Sequence, residues 1–304
     1  MIVDWSAANQ PKTGRDSIWI CRRGRDGERC DNPRTRHIAK ALLGEIIAAA
    51  LASGERVLLG FDFPFGYPSG FARRLGLGGT PWQALWAEIA RLVADDERNR
   101  NNRFEVGAEL NRRVSGARFP FWGCPAGRAN DFLGPRHHNG HAADGLAEKR
   151  LIDRWMVGAQ PCWKLAYTGS VGSQSLTGIP AVRALRDDPR WSRLARIWPF
   201  ETGLRIPEEA VRVVFAEVWP SWWRRDIRPE YGPPNDRAQV RTVAELFAAR
   251  ARAGDLPAWF EGDPQLSHDQ RRIVEEEEAW TLGVAAARPR RGTIRAVVHP
   301  ASQR

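Results

Sequence analysis

Cysteine is scarce in this chain of 304 residues. Cys21, Cys30, Cys124 and Cys162 are widely spaced and form no C-x-x-C pair, which argues against a disulfide framework and a structural zinc site. Long apolar runs are missing too. The longest, Ile46 to Ala52, follows Gly44 and Glu45 and is too short to cross a bilayer. Residues 1–20 lack a basic segment followed by an apolar core, so no signal peptide is expected. Lysine is rare, and nearly all the positive charge is arginine. These absences together predict a reduced, cytoplasmic protein with no membrane partner.

What is present is ordinary for a globular protein: 42% hydrophobic and 27% charged residues. At this length a domain buries roughly 75% of its unfolded surface, so no staple is required. The net charge of +10 points toward nucleic acid or phosphorylated ligands, and arginine favours planar contacts to phosphate. A GC-rich coding sequence produces the same arginine excess without any such partner. The 14 tryptophans are expected mainly in the core and at interfaces.

The chain opens on a short strand, Ile2-Val3-Asp4-Trp5, closed by the turn chemistry of Asn9 to Gly14. Asp16–Arg23 and Glu28–Asp31 read as two further strands of an antiparallel meander. Thr35 caps a helix through Ala52, with Ile38, Ala41, Leu42, Ile46 and Ala49 at helical spacing. Arg56–Phe63 is a continuous apolar run, as expected of a strand covered on both faces, and ends at Asp62-Phe63-Pro64. Helices are expected from Pro81 to about Ala94 and over about Arg103–Val114. Residues 119–141 are loop-rich. Trp163–Gly178 has strand character followed by a glycine-rich turn and a helix over Ile179–Leu185. Leu194–Pro199 and Val211–Val218 complete the strands. Asn235 or Asp236 caps a helix to about Ala253, and Ser267 caps a last one over about His268–Ala286. The reading is one α/β domain over 1–286 with an insertion at about 67–161, then a basic tail over 287–304.

Three strands carry or end in a carboxylate: Asp4, Asp62 and Glu217. A carboxylate on a buried strand is costly without a cation or donors. In the last helix Glu277 falls within the stripe Ile273, Trp280 and Val284, while Glu275 and Glu276 read as a solvated acidic face. Two of the strands share a pattern of acid, apolar residue and proline, in Asp62-Phe63-Pro64 and Glu217-Val218-Trp219-Pro220.

The segments VDWSAA, GFDFPFGYP, WKLAYTGSVGSQSLTGIP, AEVWPSWW and EEEEAW resemble an uncharacterised bacterial family of predicted ribonuclease-H-like nucleases. The resemblance covers most of the chain outside the insertion and the tail. It implies an α/β ribonuclease-H-like mixed sheet flanked by helices, with acids at Asp4, Asp62, Glu217 and Glu277 or Glu278. The last helix offers glutamates where related chains more often show aspartate. Such a set would hold Mg²⁺ or Mn²⁺ and hydrolyse a phosphodiester in nucleic acid or a phosphorylated small molecule.

Ser6, Lys164, Ser170, Gln174 and Arg237 are the candidate substrate contacts. Lys164 with the Gly169–Gln174 loop could cradle a phosphate, although a glycine turn before a helix accounts for the same residues. His137, His138 and His141 form a weak zinc candidate, and Cys124 or Cys162 a weaker nucleophile. Trp219, Trp222 and Trp223 are expected to pack rather than stack bases. Two alternatives stand beside the nuclease. One is an actin-like ATPase or small-molecule kinase, whose phosphate hairpin would fall at Lys12-Thr13-Gly14. The other is a non-catalytic nucleic-acid-binding module of the same fold, favoured if Asp4, Asp62 and Glu217 do not converge.

Overall fold

A computed structural model of the chain describes residues 1–25, 27–137 and 145–285. Six strands form one mixed sheet: β1 (Ile2–Asp4), β2 (Trp19–Gly24), β3 (Gly27–Asp31), β4 (Val57–Phe61), β5 (Ala195–Ile197) and β6 (Val213–Glu217), in the order β3-β2-β1-β4-β6-β5. The β1–β2–β3 meander is antiparallel, and β1, β4, β6 and β5 run parallel. The helices are α1 (Arg36–Ala52), α2 (Phe71–Arg74), α3 (Pro81–Leu92), α4 (Arg103–Ser115), α5 (Leu151–Trp155), α6 (Gly172–Arg186), α7 (Asn235–Ala253) and α8 (His268–Ile273).

Alternation along the strands sends side chains to two apolar layers. Val3, Ile20, Leu59, Phe61 and Phe215 face a first layer shared with α1, α3, α4 and α6. Ile2, Val214 and Ala216 face a second layer shared with α5 and α7. Burial on both faces explains why β4 reads as a continuous apolar run. The segment between β4 and β5 packs much of the first layer, including Trp82, Trp86 and Trp163.

Three local expectations are corrected. In α1 the buried positions are Arg36, Ala39, Leu43, Ile46 and Ile47, while Ile38 is exposed. The helix turns this way because Arg36 is buried with its guanidinium held by Asp95 and by the carbonyls of Ser6, Ala8 and Asn99. The glycine-rich run expected as a turn already belongs to α6, which starts at Gly172. Gly178 within it lies against Phe63, where a Cβ would stand 2.2 Å from the ring. Cys21 and Cys30 are not free thiols. They face each other in the β2–β3 register and are joined as a disulfide.

The last helix is the fourth correction. Ser267 caps it as expected, with Gln270 closing the capping box. It then widens at Val274–Glu278, where the Ala279 amide donates to the Val274 carbonyl, and ends at Ala279 with φ +61°. The chain turns to run beside β6, with the Leu282 amide donating to the Glu217 carbonyl at 2.9 Å. Trp280 and Val284 therefore share no helical stripe with Ile273. His138, His141, Ala286 and the tail over 287–304 lie outside the described residues.

Among the described residues no helix is long and apolar enough to cross a membrane.

Candidate functional site

Asp4 and Asp62 stand side by side. Val3 pairs with Phe61 in the parallel β1–β4 register, so the next residues on the two strands point the same way. Their carboxyls are close enough to couple, and a hydrogen bond between them would require that one carry a proton. Burial, then the charge of Asp62, pushes the Asp4 carboxyl well above its usual range. Asp62 is raised to about 6, chiefly by burial, with the Trp5 amide and the Asp4 hydrogen bond working against that rise. The Trp5 amide donates to Asp62 Oδ1 at 2.7 Å. Gln174 Nε2, in the first turn of α6, donates to the Trp5 carbonyl at 2.6 Å and reaches Asp62 Oδ2 at 3.5 Å.

Asp4 opens into a cleft of about 890 Å³ at the carboxyl end of β1. This is where parallel sheets place ligands. Both α6 and α7 begin at the cleft, so Ser173 and Gln174 line it from one side and Asp236 from the other. Helix starts carry partial positive charge and exposed N–H groups. Asp236 Oδ2 accepts the Asp16 amide at 2.6 Å, and its charge helps raise both Asp4 and Asp62.

The opposite wall is cationic. Arg103 Nε donates to Ser173 Oγ at 2.9 Å, Nη1 donates to Asn101 Oδ1 at 2.8 Å, and the guanidinium lies 4.4 Å from the Phe104 ring centre. No carboxylate among the described residues pairs with Arg103, and burial followed by the charge of Arg36 lowers its pKa to about 10. Arg128 lines the cleft beside it, paired with Glu105.

The other expected acids lie elsewhere. Glu217 aligns with Phe61 in the β4–β6 register and so points to the layer opposite Asp62. It is buried and fully engaged: Arg150 donates to both of its oxygens at 2.7 Å, the Phe65 amide at 3.0 Å and Thr281 Oγ1 at 2.9 Å. Glu277 accepts from Ser69 Oγ at 2.8 Å and from the Gly70 amide at 2.6 Å, at the start of α2. Glu278 is buried and accepts from the amides of Ser69 and Leu151. Glu275 is no solvated group either, since it accepts from the Leu204 amide at 2.8 Å. Among the described residues, no group of three or more His, Cys, Asp or Glu side chains is placed to hold a metal ion.

Of the substrate contacts expected, Ser6, Ser170 and Gln174 line the cleft. Lys164 instead fastens the loop above it, donating to the Thr168 carbonyl at 2.7 Å and to Gln160 Oε1 at 3.1 Å. Arg237 turns away to the Tyr231 carbonyl and the Trp19 ring. His137 stands near Glu148 and Trp122. Cys124 and Cys162 are buried, and burial raises both thiols, which disfavours a thiolate nucleophile. Trp223 stacks on Trp259, in keeping with a packing role.

No family model, curated protein or solved structure matches this chain.

Arg103, Arg128, Asp236 and Tyr167 are among the cleft residues that the sequence reading did not single out as contacts. Arg103 carried one signal: an arginine opening a helix opposes the helix dipole and calls for another reason to be there. Asp236 reads from sequence only as a cap, and Tyr167 has no signature at all.

Proposed function

We propose that this chain is a divalent-cation-dependent phosphodiesterase of ribonuclease-H-like type, acting at the Asp4–Asp62 pair where Asp4 opens into the cleft. The single observation that carries this reading is the pairing of two half-buried carboxyls that meet no cation among the described residues, opposite an arginine that pairs with no carboxylate among them. An acid pair repels the phosphate that the arginine attracts, so a plain anion binder has no use for it. A cation between the two reconciles them.

The donor set fits. Mg²⁺ takes hard oxygens and is often held by one or two carboxylates, with substrate phosphate completing the shell. Asp4 and Asp62 would hold it, with Asp236 nearest in support. Bound there, it would supply charge stabilisation to the phosphate and lower the pKa of an attacking water. The protein's own part is to release the proton shared by Asp4 and Asp62 and to orient Asp62 through the Trp5 amide and Gln174. Arg103 and Arg128 would hold phosphate oxygens on the far wall. The strand order, three antiparallel strands and then β4 parallel to β1 and β6 parallel to β4, supports the ribonuclease-H-like reading.

One observation favours the non-catalytic binding module: Glu217 does not converge with Asp4 and Asp62 but is consumed by Arg150. The kinase reading draws less support, because the chain from Trp5 to Ile18 makes no tight glycine hairpin. The deciding experiment is hydrolysis of a single-stranded oligonucleotide and of bis(p-nitrophenyl) phosphate with Mn²⁺. Asp4→Asn and Asp62→Asn should each lower the rate by about a hundredfold or more. Oligonucleotide binding with no turnover by the wild type selects the binding module, and turnover unchanged in both variants refutes the site.

A further inference from the structure

Tyr167 stands at the rim of the same cleft in a conformation that is hard to explain by packing. The residue is 56% exposed. Its backbone has φ +73°, a region that bulky residues avoid. Glycine or asparagine would hold such a turn at lower cost. The strain is sustained by a fastened loop. The Ser170 amide donates to the Tyr167 carbonyl at 3.0 Å, and the Gly172 amide to the Lys164 carbonyl at 2.9 Å. Lys164 Nζ closes the loop from within through the Thr168 carbonyl. The phenol is fastened as well, donating to the Cys124 carbonyl at 2.8 Å. With the hydroxyl engaged and the backbone fixed, what remains open to the cleft is the aromatic ring.

We propose that Tyr167 is a stacking platform for a nucleobase, so that the cleft takes a nucleotide unit, with its phosphate toward Arg103 and the acid pair. This rests on the phosphodiesterase reading for the phosphate end, but the ring stands on its own geometry. An exposed ring presented by a strained and braced loop binds a flat aromatic group through its π-face, with little regard to which base it is. Arg103, Arg128 and Tyr167 line one continuous cleft, which is large enough for a nucleotide. The nucleotide unit is either free or part of a single strand.

The test uses fluorescence anisotropy with Ca²⁺ in place of Mg²⁺, to limit turnover. The probes are a labelled five-residue oligothymidylate, an abasic oligomer of equal length, and unlabelled thymidine monophosphate as competitor. Wild type should prefer the base-bearing strand over the abasic one by about five- to a hundredfold. Tyr167→Ala should bring the two affinities together without weakening abasic binding. Tyr167→Phe should keep the preference, since the ring remains. Competition by the mononucleotide at concentrations comparable with the oligomer identifies the free nucleotide as the occupant, and its failure identifies the strand. Equal wild-type binding of base-bearing and abasic oligomers overturns the proposal, as does a preference that survives in Tyr167→Ala. Failure to bind any probe, while Mn²⁺ still raises the melting temperature, overturns the platform and leaves the Asp4–Asp62 cation reading intact. A circular dichroism melt of each variant confirms that it is folded.

Discussion

The sheet carries carboxylates on both of its faces, Glu217 buried and Asp4 and Asp62 half-buried, and it treats them in opposite ways. On one face Glu217 is locked to Arg150, which also holds Asp153, with distances of 2.7–3.0 Å throughout. Burial works against the charge on Arg150, but Asp153 and Glu217 more than offset it and hold the guanidinium well above its usual range. On the other face, among the described residues, Asp4 and Asp62 have each other, the Trp5 amide on Asp62 and Gln174 at 3.5 Å. The first arrangement is complete without any ligand. The second leaves two neighbouring carboxyls without a counter-charge from the described residues. A buried acid is therefore no sign of a site by itself, and the two faces differ in whether the fold supplies the counter-charge.

The largest expected effect breaks the complete side. Arg150→Met leaves Glu217 and Asp153 buried without a cation and should destabilise the protein by about 3–5 kcal/mol in urea unfolding. A loss below about 1 kcal/mol would mean that the triad is not the buried network seen here.

The incomplete side should respond to pH with the opposite sign from an ion pair. Asp62, and Asp4 more so, keep protons in the folded state that the unfolded chain has already lost. The Asp62 contribution is fully present below about pH 4 and disappears as pH rises through about 6, and the Asp4 contribution is likewise lost as pH rises. In EDTA, wild-type stability relative to Asp62→Asn should fall across that window, by about 3 kcal/mol for the Asp62 shift alone. The difference against the variant matters, because ion-paired acids such as Glu88, held at about 2 by Arg91 and then Arg113, act in the other direction at lower pH. A flat difference between pH 4 and 7 would show that the two carboxyls do not share a proton.

A cation should reverse that loss. At a hundredfold excess over its dissociation constant, Mn²⁺ bound only by the native state adds about 2.7 kcal/mol. The melting temperature should rise in wild type and stay put in Asp62→Asn. The smallest effect is expected at Glu277→Gln, which weakens hydrogen bonds to Ser69 and Gly70 at a cost of about 1 kcal/mol and leaves the Mn²⁺ response intact. If Glu277→Gln removes that response while Asp62→Asn does not, the cation is held by the C-terminal acids rather than at the cleft.

Much of this comparison was half legible in the sequence. The meander, the buried β4, the position of Asp62 at its end and the Thr35 and Ser267 caps all follow from local rules that tertiary packing left undisturbed. Glu217 was placed at the right strand end but on the wrong face. Its side is set by the Phe61 register with β4, which no property of either segment reveals alone. Glu277 failed because a helical stripe was extended across a turn that widens at Val274 and stops at Ala279. The α1 stripe kept Ile46 but otherwise missed, because Arg36, a residue that ordinarily marks the wet face, is buried among carbonyls and Asp95. Arg150 escaped notice because its partners come from three separate parts of the chain.

Gly178 gives the cleft a mechanical character. Because α6 meets the Phe63 ring with no side chain between them, the segment that carries Asp62 and the helix that carries Gln174 have no slack with respect to each other. The acid floor and the α6 wall behave as a single casting, whose internal spacing is set by a missing methyl group. Ligand entry would then be accommodated on the opposite side, where Arg103 and Arg128 stand on separate segments. An alanine at position 178 would act at a distance: it would push α6 off Phe63, pull Gln174 away from the Trp5 carbonyl, and detune Asp62 without altering any residue of the cleft.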